Sequence, residues 1–193
     1  VTKKLQLSPV DTTNIEINDA LSRVLQLPSV GSKSFLITIA DRTVTGLIDR
    51  DQFVGPWQVP VADVGVTCTS LGEELIQTGE ALAMGEKPTI AIIDAAASAK
   101  MTIAESLLNL VAADIKSLDM VKISANWMSS ASTPGEGSAL YQAVQAISLD
   151  LCPSLGVAIP VGKDSMSMKM SWDDKTVMAP LSLISTSFCG VSD

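Results

Sequence analysis

The sequence contains no histidine. That removes the commonest general base and metal ligand at neutral pH, and with it every Ser-His or Cys-His mechanism within these 193 residues. Cysteine is scarce too. Cys68, Cys152 and Cys189 are far apart and odd in number, so they form neither a zinc-binding spacing nor a disulfide framework, and a reducing, cytoplasmic setting is expected. Positive charge is in deficit, with 13 basic against 21 acidic residues and a net charge of −8, which argues against a nucleic-acid partner. No apolar run is long enough to cross a bilayer, and no signal peptide is evident, so no membrane partner is expected. An anionic ligand would therefore need local help, from a metal ion or from helix N-termini.

Aliphatic residues dominate what remains. Hydrophobic residues make up 47% of the chain and aromatics only 4%, the composition of a Val, Ile, Leu, Ala and Met core under an α/β arrangement. The length fits one domain, or one domain and the start of another. Val1 in place of Met is what a piece of a longer chain would show.

Periodicity divides the chain into segments. NIEINDALSRVLQLP places Ile17, Leu21, Val24 and Leu25 at helical spacing, with Pro28 behind them. SFLITI (34–39) reads as a strand, and the Gly- and Pro-bearing stretch 41–63 as a long ordered loop, a length that usually carries function. VGVTCTS (64–70) predicts a strand, GEELIQTGEALAMG (72–85) a helix closed by Gly85, and PTIAIID (88–94) a strand. A helix is expected over about 97–117, then a strand at 120–128, a turn at 132–138, an amphipathic helix at 139–156 and a strand at 157–162. The end, 176–191, predicts a β run or hairpin broken at Pro180. This alternation predicts an α/β or α+β fold with helices covering a sheet.

Four places could carry chemistry. In TIAESLLNLVAAD (102–114), Glu105 and Asn109 lie four residues apart, one turn apart on one helix face. Thr102 and Ser106 share that side, so a plain solvated face is the competing reading. The stripe is narrow, however, and lacks the Lys or Arg that solvated faces carry; its oxygen donors suit a hard cation such as Mg²⁺. Asp63 closes the loop and opens a strand, a position open to a ligand-binding carboxylate or a turn aspartate. GKDSMSM sets Lys163, Asp164 and Ser165 together at a strand end without the frame of a phosphate-binding P-loop. Asp41 and Arg42 could pair with each other or bind phosphate.

Taken in order, DRTVTGLIDRDQFVGPWQVPVAD, AESLLNL, KISANWM with PGEG behind it, and PVGKDSMSMK resemble the phosphoribosylformylglycinamidine synthase family, within the wider aminoimidazole ribonucleotide synthase superfamily. The resemblance covers about residues 35–190, and strings as long as VGPWQVPVAD and GKDSMSM make it specific. It implies an N-terminal helix or linker over 1–30, then a synthetase N-terminal-like nucleotide-binding subdomain over 31–193, from the second half of the family's core. It further implies a mixed sheet covered by helices that pairs with a second copy into a barrel.

By the same resemblance, Asp63, Glu105 and Asn109 are Mg²⁺ ligands at an ATP or ADP site, and Ala62 touches the nucleotide. A fourth metal aspartate falls beyond residue 193. Lys163, Asp164 and Ser165 line a nucleotide, substrate or inter-subdomain surface. The family's full chain is a ligase that uses ATP to join formylglycinamide ribonucleotide with glutamine-derived ammonia. Its partners for this segment are the first half of the core and a glutaminase domain. The nucleotide site in this half is expected to be auxiliary, the segment alone inactive, and the bare chain prone to self-association. The alternatives are a selenophosphate synthase relative, which carries different glycine and aspartate strings, and a non-enzymatic dimerisation module.

Overall fold

A computed structural model describes residues 8–9, 11–32, 34–35, 46–50, 53, 55–59, 62–69 and 78–192. Its centre is a six-stranded sheet. The strands are β1 (Ile48–Arg50), β2 (Val64–Cys68), β3 (Thr78–Glu86), β4 (Lys122–Met128), β5 (Ala158–Ser165) and, last in the chain, β8 (Ser182–Ser192). Their spatial order is β1-β2-β3-β8-β4-β5. Every neighbouring pair is antiparallel except β4 and β5, which are parallel. β6 (Lys169–Trp172) and β7 (Lys175–Met178) form a separate hairpin.

The parallel pair requires a crossover. It is a continuous helical segment of α4 (Glu136–Gln145), a π-helical stretch (Ala146–Leu151) and α5 (Cys152–Leu155), ended by Gly156 in the left-handed conformation at φ 71°. The second covering helix is α3 (Ala95–Leu110). Asp94 caps it, its carboxylate accepting the Ala97 N–H at 2.9 Å. The core forms where α3 and the crossover meet the sheet: Ile103, Leu107 and Leu110 of α3, Ile123, Ala125 and Trp127 of β4, Ala143 and Ile147 of the crossover, and Leu183 and Cys189 of β8.

Four segments differ from the sequence-based expectation. The helix expected at 72–85 is, over its described part, the strand β3. Its burial alternates strictly, with Ala81, Ala83 and Gly85 inward and Leu82, Met84 and Glu86 outward. Ala, Glu, Leu and Met favour helices locally, but pairing with β2 on one side and β8 on the other overrides a weak propensity. The strand expected at 88–94 is instead the helical turn α2 (Pro88–Ala91), with Pro88 in the first turn, where its missing N–H is harmless. The helix expected over 97–117 spans only Ala95–Leu110. The loop expected over 41–63 contains β1, which pairs with β2.

Most other expectations agree. α1 (Ile17–Gln26) forms as predicted, though none of its side chains is buried. β2, β4, β5 and the crossover helix lie where predicted, and Pro180 separates β7 from β8. Of the strand expected at 34–39, Ser34 and Phe35 are helical, and 36–39 lie outside the described residues, as do Asp41 and Arg42.

Helices cover one sheet face. On the other, Leu82 and Met84 are exposed, and Phe188, the strand neighbour of Leu82, shares their side.

Candidate functional site

The site is built where β3 ends against α3. Gly85 permits the contact. A Cβ there would lie 2.3 Å from the Thr102 carbonyl oxygen and 2.8 Å from the Ser106 nitrogen, distances that no real side chain tolerates against backbone. With glycine at that point, the strand approaches the helix directly beneath Glu105. The Oε2 of Glu105 then accepts the Glu86 N–H at 2.7 Å, while its Oε1 pairs with the Lys87 ammonium. One turn further along α3, Asn109 donates through Nδ2 to the Met84 carbonyl at 3.0 Å. That bond commits the amide nitrogen and leaves Oδ1 as the free acceptor.

Buried hydroxyls fix the helix from behind. Ser106 Oγ donates to the Ile103 carbonyl at 3.0 Å and lies 2.9 Å from Ser185 Oγ and 2.8 Å from Ser187 Oγ, both on β8. All three serines are fully buried. The bonds satisfy hydroxyls that would otherwise be costly inside the core, and they set the position of α3 on the sheet.

Asp63 reaches the same end of β3 through strand register. Val64 faces Ala83, so the next step in the antiparallel ladder sets position 63 beside Met84, at the roughly 5 Å separation of facing Cα atoms. Strict alternation aims it to the Met84 side, away from α3; the chain bends at Asp63, and its side chain is exposed. Ala62, half-buried, precedes it. Glu105 and Asn109 of α3 thus bond to the backbone of Met84 and Glu86, and Asp63, just before β2, lies beside Met84 by register.

The donor set suits a hard cation: two carboxylates and an amide oxygen, with no sulfur or imidazole. Among the described residues no group of three or more His, Cys, Asp or Glu side chains is clustered for metal binding.

Lys163, Asp164 and Ser165 lie elsewhere. They are the last residues of β5, where Lys163 Nζ donates to Ser165 Oγ at 2.6 Å. β5 is four strand positions from β2, about 19 Å at the usual interstrand spacing. Within this chain these residues do not join the Asp63, Glu105 and Asn109 group. A cavity of about 580 Å³ opens at a third place, between the start of α3 and the start of α4, with Ile92, Ile93, Asp94, Glu136 and Leu181 on its walls.

Neither Cys152 nor Cys189 is placed as a nucleophile. Burial pushes the Cys152 thiol up, and burial does the same for Cys189, with Asp119 adding to the rise and Lys122 opposing it. A thiol held protonated in an apolar setting is unreactive.

Sequence reasoning missed Lys87 and the role of Gly85. GEKP after a run of alternating small residues was the available signal, but it reads as helix until the strand is recognised.

Residues 32–190 match the family model for the FGAR-AT PurM_N-like domain. The chain is 71% identical over 192 residues to the phosphoribosylformylglycinamidine synthase of Saccharomyces cerevisiae, covering 99% of this chain and 14% of that protein. It is 66% identical over 181 residues to the same synthase of Schizosaccharomyces pombe, covering 92% of this chain and again 14% of the relative. It thus spans about one seventh of the length of these relatives. Among solved structures, PurLQS from Thermotoga maritima aligns over 68% of this chain and 20% of its own, at 16% identity and a TM-score of 0.51. T. maritima PurL complexed with ADP gives 16% identity, the same coverages and a TM-score of 0.50. At that identity the structural likeness speaks for the fold alone.

Proposed function

Because the chain belongs to the FGAR-AT PurM_N-like domain family, we propose that it serves a phosphoribosylformylglycinamidine synthase as a Mg²⁺-nucleotide-binding segment of the synthetase core. The observations that support this reading lie at the end of β3, where Asn109 bonds to the Met84 carbonyl, Glu105 to the Glu86 N–H, and ladder register sets position 63 beside Met84.

Asp63 and Glu105 supply two negative charges, and Asn109 Oδ1 adds a neutral oxygen. Mg²⁺ bound there would neutralise nucleotide phosphates that the chain, at −8, otherwise repels. Ala62 presents a small side chain beside the ligand aspartate. Glu105 is held rigid by the Glu86 N–H, so the site is organised before ligand arrives. As the family resemblance implies, the nucleotide's role here is architectural, and turnover of formylglycinamide ribonucleotide, ammonia and ATP belongs to the whole cytoplasmic ligase. Lys163, Asp164 and Ser165, on the far edge of the sheet, line a surface toward substrate or another subdomain.

Titration calorimetry tests this directly. Mg²⁺-ADP is expected to bind the chain, EDTA to abolish the signal, and Asp63→Ala to remove most of it. Equal heats with and without Mg²⁺ would overturn the metal-dependent reading.

A second role rests on the bare sheet face. Leu82 and Met84 are exposed there beside Phe188, and among the described residues β1 and β5 each have a neighbour on one side only. Exposed apolar sheet faces and open edges favour association. We propose that this face meets the matching sheet of the other half of the core, and that the isolated chain substitutes a second copy of itself. Sedimentation velocity at micromolar concentration is expected to show dimer, and a clean monomer would contradict it.

A further inference from the structure

We propose that Lys87 is a built-in counter-ion: it neutralises Glu105 when no divalent cation is bound, then yields that carboxylate to the cation and turns toward the nucleotide phosphates. The inference rests on the Mg²⁺-nucleotide reading above and adds a residue that reading does not use.

Three observations on Lys87 support it. First, its backbone is fixed. Lys87 follows β3 directly and forms the N-cap position of α2, and its carbonyl accepts the Ser98 Oγ at 2.7 Å. Only the side chain is free to move. Second, the two oxygens of Glu105 have different partners. Oε2 is tied to the Glu86 N–H, a bond between backbone and side chain that keeps the carboxylate in place, whereas Oε1 is occupied by the Lys87 ammonium. A cation binding Glu105 without distorting the site must therefore take Oε1, where Lys87 sits. Third, both side chains of the pair are about one-third exposed, 30% for Lys87 and 32% for Glu105, so water and ions can reach the pair and exchange is possible.

An ammonium and a divalent cation repel each other strongly at adjacent positions on one oxygen. Lys87 must then leave Oε1. Its four-carbon stem and point charge let it swing to a new anion, and a metal-bound phosphate is the nearest one the site would hold. Its neighbour in the chain, Glu86, is a second carboxylate, on the outward face of β3. Lys87 thus competes with the cation in the absence of nucleotide and assists once nucleotide is present.

The test uses Mn²⁺ as the probe, followed by electron paramagnetic resonance on the 193-residue chain, with and without ADP. Removing the ammonium in Lys87→Met is expected to tighten Mn²⁺ binding alone by about threefold to tenfold and to weaken ADP binding in the presence of saturating Mn²⁺ by a similar factor. Lys87→Gln, which keeps a polar head, should show the same pair of opposite shifts and guards against a local packing effect of Met. Mn²⁺ binding lost in Glu105→Gln but unchanged in both Lys87 variants would overturn the counter-ion role while leaving the metal site standing. No Mn²⁺ binding by any form would overturn both.

Discussion

Replacing Gly85 by alanine is expected to destabilise the fold by about 3 kcal/mol or more, the upper range of overpacking effects, and to lower the melting temperature by roughly 6–12 °C. The added methyl would meet the Thr102 carbonyl oxygen at 2.3 Å and the Ser106 nitrogen at 2.8 Å. Both are backbone atoms in the middle of α3, so no side chain can rotate away to make room. Either β3 or α3 must shift, and both are tied. β3 pairs along nine positions with β8. α3 is bonded through Ser106 to Ser185 and Ser187 on that same β8. The strain thus falls on the contact that aligns Glu105 and Asn109, and cation binding should fail along with stability. Chemical denaturation of the variant checks the first effect. A change within about 0.5 kcal/mol, the range of an ordinary surface substitution, would mean that β3 and α3 do not abut in solution as described.

Glu105→Gln separates the site from the scaffold. The amide is the same size as the carboxylate, and its oxygen can still accept the Glu86 N–H that holds Oε2 in the native protein. Stability should change by about 1 kcal/mol or less, because the ion pair with Lys87 is partly exposed and such pairs contribute little. Keeping that oxygen on Glu86 turns the new NH₂ toward the cation position, where a donor repels a metal. Mg²⁺-dependent ADP affinity is therefore expected to fall by about 100-fold or more, at or above the losses seen when only a supporting group around a metal is removed. Calorimetry and denaturation on the same preparation read both quantities. Unchanged nucleotide affinity would show that Glu105 is not a ligand and that its role is to receive Lys87 and close the end of β3.

The sequence foretold the parts of this arrangement that are local. A carboxylate and an amide one turn apart in TIAESLLNL could be seen at once, because helical spacing alone places Glu105 and Asn109 together. The class of fold was also legible from alternating helical and β segments. What escaped depended on distant pairing. TGEALAMGE contains good helix formers, and only hydrogen bonding to β2 and β8 makes it a strand. Gly85 looked like a helix terminator, yet its value lies in lacking a Cβ where another element passes. Lys87 looked like any surface lysine, since its partner stands 18 residues away. The approach of Asp63 to Met84 is a matter of ladder register, which no local pattern contains. PTIAIID illustrates the opposite error: β-branched residues read as a strand, while Pro88 at the first helical position marked the turn.

The association of cation and nucleotide with this end of β3 is the claim on which the others depend. Its most direct test is anomalous diffraction from crystals of the chain grown with Mn²⁺ and ADP. The account predicts a single strong peak within coordination distance of the Asp63 carboxylate, the Glu105 Oε1 and the Asn109 Oδ1, with the ADP phosphates on its open side. A peak elsewhere, or an Asp63 carboxylate turned to the opposite face of the sheet with ADP bound, would contradict it.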